Sequence, residues 1–138
     1  MIALDTRDDI QLLPSDKDPI DEVIGNQIPT LFTAPKLYNQ KIADIALKFA
    51  KAIDYKLLPW QKTEIQYALD KQADGKWSAF QVVTIVPRQN GKNYGITLLE
   101  LVHLFLIPES KLIVHTAHMF KTAKSAFRAL RAVILNTP

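Results

Sequence analysis

The 138-residue chain contains no cysteine, which excludes disulfides and thiolate-ligated metal sites and fits a reducing compartment. Its N-terminal residues do not pair a basic start with an apolar run, so a secretory leader is not expected. The longest apolar stretch, 96–108, is broken by Glu100 and His103 and is too short to cross a bilayer. Internal repeats and low-complexity tracts are also missing. Against these absences, 48% of the residues are hydrophobic and 22% charged, the balance of a chain that buries a core rather than of a disordered or fibrous one. The length suits one domain. The expectation is a soluble intracellular protein with no membrane partner.

Charge is unevenly spread. Residues 1–36 hold seven acids (Asp5, Asp8, Asp9, Asp16, Asp18, Asp21, Glu22) against three bases, a balance of −4. Residues 76–138 hold eight bases against Glu100 and Glu109, a balance of +6. A basic half suits a polyanion such as nucleotide or nucleic acid; a solvated basic face carries the same charges.

Residues 1–35, punctuated by Pro14, Pro19, Pro29 and Pro35, read as an extended arm. From residue 36 to 54, Ile42, Ile45, Ala46, Phe49 and Ile53 recur at helical spacing and predict an amphipathic helix. Pro59 suits a first helical position. A second helix is expected from there to about residue 74, with Ile65, Ala68 and Leu69 inward and Gly75 as its stop. Residues 77–86 then change character: Phe80, Val82, Val83, Ile85 and Val86 predict a buried strand. A largely apolar helix is expected from Lys92 to about residue 107. A short strand should follow over 111–116 and a last helix over 119–136. That order predicts an α/β fold, a parallel sheet flanked by helices and preceded by the arm and two helices.

Chemistry concentrates at the junction of the first expected strand and the third helix, where Pro87, Arg88, Gln89, Asn90, Gly91, Lys92 and Asn93 follow one another. A loop feeding a helix N-terminus aims backbone N–H groups and the positive end of the helix dipole at one spot, which makes an anion site. Glycine lets backbone approach phosphates closely, and a following lysine supplies a mobile charge for the β- and γ-phosphates. Gly91 and Lys92 fill those places. The match to Gly-x4-Gly-Lys-Ser/Thr is partial, since Val86 stands at the first glycine and Asn93 at the magnesium-ligating hydroxyl. An ordinary strand-to-helix turn also carries glycine.

The segment PRQNGK over 87–92 resembles the deviant Walker A loop of the large subunits of tailed-phage terminases, the motors that package DNA into capsids. That family commonly places an arginine four residues before the lysine, as Arg88 stands before Lys92, and tolerates loss of the first glycine. The segment LPWQ over 58–61 is similar to the family's adenine-sensing segment. IVHTAH over 113–118, followed by FKTA over 120–123, resembles the stretch after its second strand. The likeness covers roughly 57–138. It implies a P-loop NTPase-type sheet, ATP with Mg2+ as cofactors, and a motor that drives double-stranded viral DNA into a procapsid. It also implies a small terminase subunit and a portal protein as partners, homo-oligomerisation of the full-length protein, and action in the host cytoplasm and transiently at the portal.

By the same resemblance Lys92 holds the β- and γ-phosphates, Arg88 senses the γ-phosphate, Gln61 reads the adenine edge with Trp60 packed nearby, and Asn93 takes the Mg2+ position. Trp60 equally suits a plain core aromatic. His115 and His118 lack a third ligand and make a poor metal site. In the last helix Phe120, Ala123, Phe127, Leu130 and Ile134 form an apolar stripe expected in the core. Lys121, Lys124, Arg128 and Arg131 form a basic stripe suited to a phosphate backbone or to solvent.

Catalysis in this family also needs an apolar strand ending in Asp-Glu, and none occurs before Pro138; the nuclease domain is likewise missing. The expectation is a domain portion, 36–138, cut short before Walker B, able to bind nucleotide but not competent alone as an ATPase. Two other readings stand beside it. A helicase of superfamily 2 also joins an upstream glutamine to a P-loop, although Val86 and Asn93 depart from its usual motif. A non-hydrolysing nucleotide-binding module is the other.

Overall fold

Alanine sets the packing of the first helix. In the computed structural model, which describes residues 25–110 and 112–137, α1 spans Lys41–Ala52 and buries Ala43, Ala46 and Ala50. These small side chains let neighbouring helices approach closely, and Ile42, Leu47, Phe49 and Ile53 close the flanks. Ile45, expected inward, is exposed. The buried line is turned from the bulky stripe because three- and four-residue spacing also fits the alanines.

The second helix, α2, covers Pro59–Ala68 and has Pro59 at its first position, where a missing N–H costs nothing. It ends well before Gly75, at Leu69. Residues 71–77 instead make a tight turn, with a single antiparallel bridge between Lys71 and Trp77 and Gly75 at a φ of 82°. Asp70 closes this region. Although fully buried, its carboxylate accepts bonds from the Tyr38 and Asn39 N–H groups, the Gln40 amide and the Ser78 hydroxyl. Burial pushes this carboxyl up, but the four donors outweigh it and hold it below the usual carboxylate range.

α3 spans Lys92–Phe105 and α4 spans Phe120–Asn136. Leu98 and Val102 of α3 join Ile65 and Leu69 beside the α1 alanines and Tyr55, Leu57 and Ile107 in one core. α3 is buried or half-buried on every side from residue 95 to 103, as its apolar composition predicts, and only its ends, including Leu104 and Phe105, are exposed. α4 packs on α3 alone among the four helices. Only Ala126 of α4 is buried. Phe120, Phe127 and Ile134 are exposed and Ala123 and Leu130 half-buried, so the stripe expected in the core lies at its edge.

The expected parallel α/β sheet is not formed. The described residues contain four helices and no β-ladder beyond the Lys71–Trp77 bridge. Residues 79–86 and 112–117 lack regular structure and leave Phe80, Val83, Ile85, Leu112 and Val114 largely exposed. β-branched and aromatic runs favour extended backbone, but a strand needs a partner to satisfy its N–H and C=O groups. Here each segment is tethered to a helix by a side chain: Thr84 to Glu64 of α2, and His115 to Glu100 of α3. The fold is therefore mostly helical. No helix among the described residues is long and apolar enough to cross a membrane. Of the expected arm over 1–35, residues 1–24 lie outside the described residues, and 25–35 contain no helix or strand.

Candidate functional site

The loop between residue 86 and α3 owes its shape to two left-handed residues. Gly91, the residue that opens α3, has a φ of 75° and Gln89 a φ of 64°. Glycine adopts this conformation freely, whereas a glutamine there costs about 1–2 kcal/mol. Lys92 occupies the first helical position and no acid stands in the first turn. A cation at that end opposes the helix dipole by about 0.3–1 kcal/mol. Among the described residues no side chain caps this end of α3. Val86, Pro87, Arg88, Gln89, Asn90, Gly91, Lys92 and Asn93 surround a concavity of about 310 Å³. All but Val86 are exposed. The residues expected to cradle phosphate are thus gathered around one hollow.

The loop is held from behind by α2. Gln61 is buried; its Oε1 accepts from the Leu58 N–H at 2.8 Å and its Nε2 donates to the Gly91 carbonyl at 2.7 Å. One turn on, Glu64 accepts from the Thr84 hydroxyl at 2.5 Å. Its second carboxylate oxygen is buried without a partner among the described residues, and a Cβ at Gly95 would stand 2.5 Å from it. Burial pushes the Glu64 carboxyl up, with the Thr84 bond partly offsetting. Tyr55 completes the support. Its ring stacks on Tyr94 at 4.0 Å and its hydroxyl donates to the Tyr94 carbonyl at 3.1 Å. Burial, and then Tyr94, push the Tyr55 phenol up.

Trp60 is half-buried at the second position of α2, next to Gln61 in sequence, and no aromatic partner stacks on it among the described residues. A larger cleft of about 650 Å³ shares Lys92 and Asn93 with the hollow of residues 86–93 and continues past Glu100, His115, His118 and Thr122. In it the His115 Nδ1–H donates to Glu100 at 2.6 Å. Lys121, Lys124, Arg128 and Arg131 are all exposed on α4, apart from the loop-lining set.

The donor set for Mg2+ does not fit a protein-held ion. Asn93 offers one neutral oxygen at an exposed position, and no three His, Cys, Asp or Glu side chains converge among the described residues. Mg2+ prefers an octahedron of hard oxygens and is usually held through carboxylates and substrate phosphates. The hollow itself suits phosphate: backbone at an uncapped helix N-terminus, a lysine and an arginine.

Glu64, Thr84, Gly95 and Tyr55 are support residues that motif reading passes over. Gly95, a glycine inside an apolar helix, is the one sequence signal of the close approach. No protein-family model, curated protein or solved structure matches the chain.

Proposed function

We propose that the chain binds the phosphates of ATP in the hollow formed by residues 86–93, as the nucleotide-binding part of a terminase-like motor that moves double-stranded DNA. One observation carries the phosphate site: three local costs meet in one loop. Gln89 is left-handed, Lys92 opposes the dipole of α3, and among the described residues no side chain caps the helix end. None of these helps the fold, and an anion would relieve the last two. Lys92 and the α3 backbone then hold the β- and γ-phosphates, and Arg88 stands at the loop to meet the γ-phosphate. The DNA-motor part of the reading rests on the likeness of 58–61, 87–92 and 113–123 to terminase segments. Viral DNA, a small terminase subunit, a portal, self-association and a place in the host cytoplasm follow from that likeness alone.

A non-hydrolysing binding module is the second reading, and a specific observation favours it. Glu64, packed against α3, and Glu100, within it, are already engaged by Thr84 and His115. Turnover in a steady-state phosphate-release assay, lost on Lys92→Ala, would remove that second reading.

Calorimetric titration of ATP into the wild type, Lys92→Ala and Lys48→Ala tests the site. Lys92→Ala is expected to weaken binding about tenfold or more, the loss of one charge-assisted phosphate contact. Lys48, exposed on α1, should make less than a twofold difference. Equal affinity in wild type and Lys92→Ala contradicts the proposal.

A further inference from the structure

Gln61 joins two helix ends. Leu58 and Gly91 are the residues that open α2 and α3, and the single carboxamide of Gln61 accepts from the N–H of the first and donates to the carbonyl of the second. The Gly91 carbonyl also accepts the Tyr94 N–H at 2.9 Å, the bond that starts the helix. The approach is close enough that a Cβ on Gly91 would lie 3.0 Å from the Gln61 Nε2. Three residues on, along the same face of α2, Glu64 grips Thr84 before the loop and abuts Gly95 after it. One face of α2 therefore fixes the loop at both ends.

A glutamine that reads adenine must offer its donor and its acceptor to the purine edge. Here one amide N–H and one lone pair of the oxygen are spent on backbone, and with the residue 1% exposed the rest of the carboxamide is closed to a ligand. Turning it to a base would leave the half-buried Leu58 N–H without its partner, at about 1–3 kcal/mol for an unpaired buried donor, and would take one of two donors from the Gly91 carbonyl, which keeps the Tyr94 N–H. That is comparable to what the new base contacts would return.

We infer that Gln61 is a positioning residue for the phosphate loop, and that the site recognises a triphosphate group without reading its base. The inference rests on the phosphate-binding reading above and deepens it by naming the ligand class. ATP, GTP and inorganic tripolyphosphate should bind alike, because the contacts that matter are to phosphate oxygens. Removing Gln61 should weaken all three equally, because the loop loses its support rather than a base contact.

The test titrates those three ligands into the wild type, Gln61→Met and Gln61→Glu. Wild-type affinities are expected within about threefold of one another, and Gln61→Met should lose about tenfold for all three, equivalent to the weakening of one buried hydrogen-bond pair. Helix content by far-UV circular dichroism should be unchanged. The Gln61→Glu variant supplies a readout that a purely structural role would not move. Its carboxylate can accept from Leu58 but repels the Gly91 carbonyl until it is protonated and can donate. Its affinity relative to wild type should therefore recover as the pH falls through the carboxylate range. Loss of ATP binding with tripolyphosphate binding intact would overturn the inference and make Gln61 a base reader. Unchanged affinities in Gln61→Met would also overturn it. If that variant loses helix content, the wild type decides: a preference for ATP over tripolyphosphate above about tenfold, a full 1.4 kcal/mol, overturns the inference. A wild type that binds none of the three refutes the phosphate site itself, a different result from any of these.

Discussion

Glu64 shows how a support residue can cost stability. Its unpaired oxygen lies against Gly95, and burial raises its carboxyl above the ordinary range. A raised pKa in the folded state means the native protein keeps this proton to higher pH than the unfolded chain does. The group therefore favours the native state in acid and loses that advantage as the pH rises past the ordinary carboxylate value of about 4.3. Glu64→Gln, which cannot ionise, should be more stable than the wild type at pH 7, on the order of 1 kcal/mol for a buried charge avoided. The difference should shrink towards pH 4. Urea unfolding at the two pH values measures it, and a variant less stable at pH 7 would show that the carboxylate is satisfied. Asp70 shows the opposite sign, since its donors hold it below the usual range, and its contribution is lost only at acid pH. Nothing in the sequence distinguishes these two carboxylates. Both look like solvated charges, and only the neighbours brought to them by folding set them apart.

α4 presents Lys121, Lys124, Arg128 and Arg131 on one exposed helix with no acid in its sequence. Cations spaced three and four apart lie along one side of a helix and suit a phosphate backbone. If they contact DNA, reversing all four to glutamate should abolish binding in a fluorescence anisotropy titration. Neutralising them to alanine should reduce the slope of log affinity against log salt by roughly 3–4, at about 0.9 per phosphate contact. An unchanged slope would leave the stripe as a solvated face. The helices themselves were legible from three- and four-residue spacing, as were Pro59 at the start of α2 and Gly91 before α3. Their inward faces were less so. In α1 alanines took the core because close approach rewards small side chains. In α4 Phe120 and Phe127 faced outward because the helix has only α3 to pack against.

The lack of a sheet among the described residues has a physical cause. Residues 79–86 and 112–117 have the composition of strands, yet composition reports a preference for extended backbone and not the presence of a neighbour to pair with. The entrance to α3 is legible, though not the strand expected before it, because glycine at a helix entrance and lysine after it act locally. Gln61 was singled out in the sequence, but its bond to Gly91 spans thirty residues and no local pattern contains it. The exposed segment makes its own prediction. Phe80→Ser and Ile85→Ser should each cost less than about 0.5 kcal/mol, as surface substitutions do, because both side chains are almost fully exposed. Losses above about 2 kcal/mol, the scale of burial, would mean that the segment packs in a core. The central claim, a phosphate site in the loop, is tested most directly by following backbone amide resonances during an ATP titration. The account predicts saturable shifts at Gly91, Lys92 and Asn93, with smaller changes elsewhere. Shifts confined to α4, where a polyanion would merely settle on the basic stripe, or none in the loop at all, would contradict it.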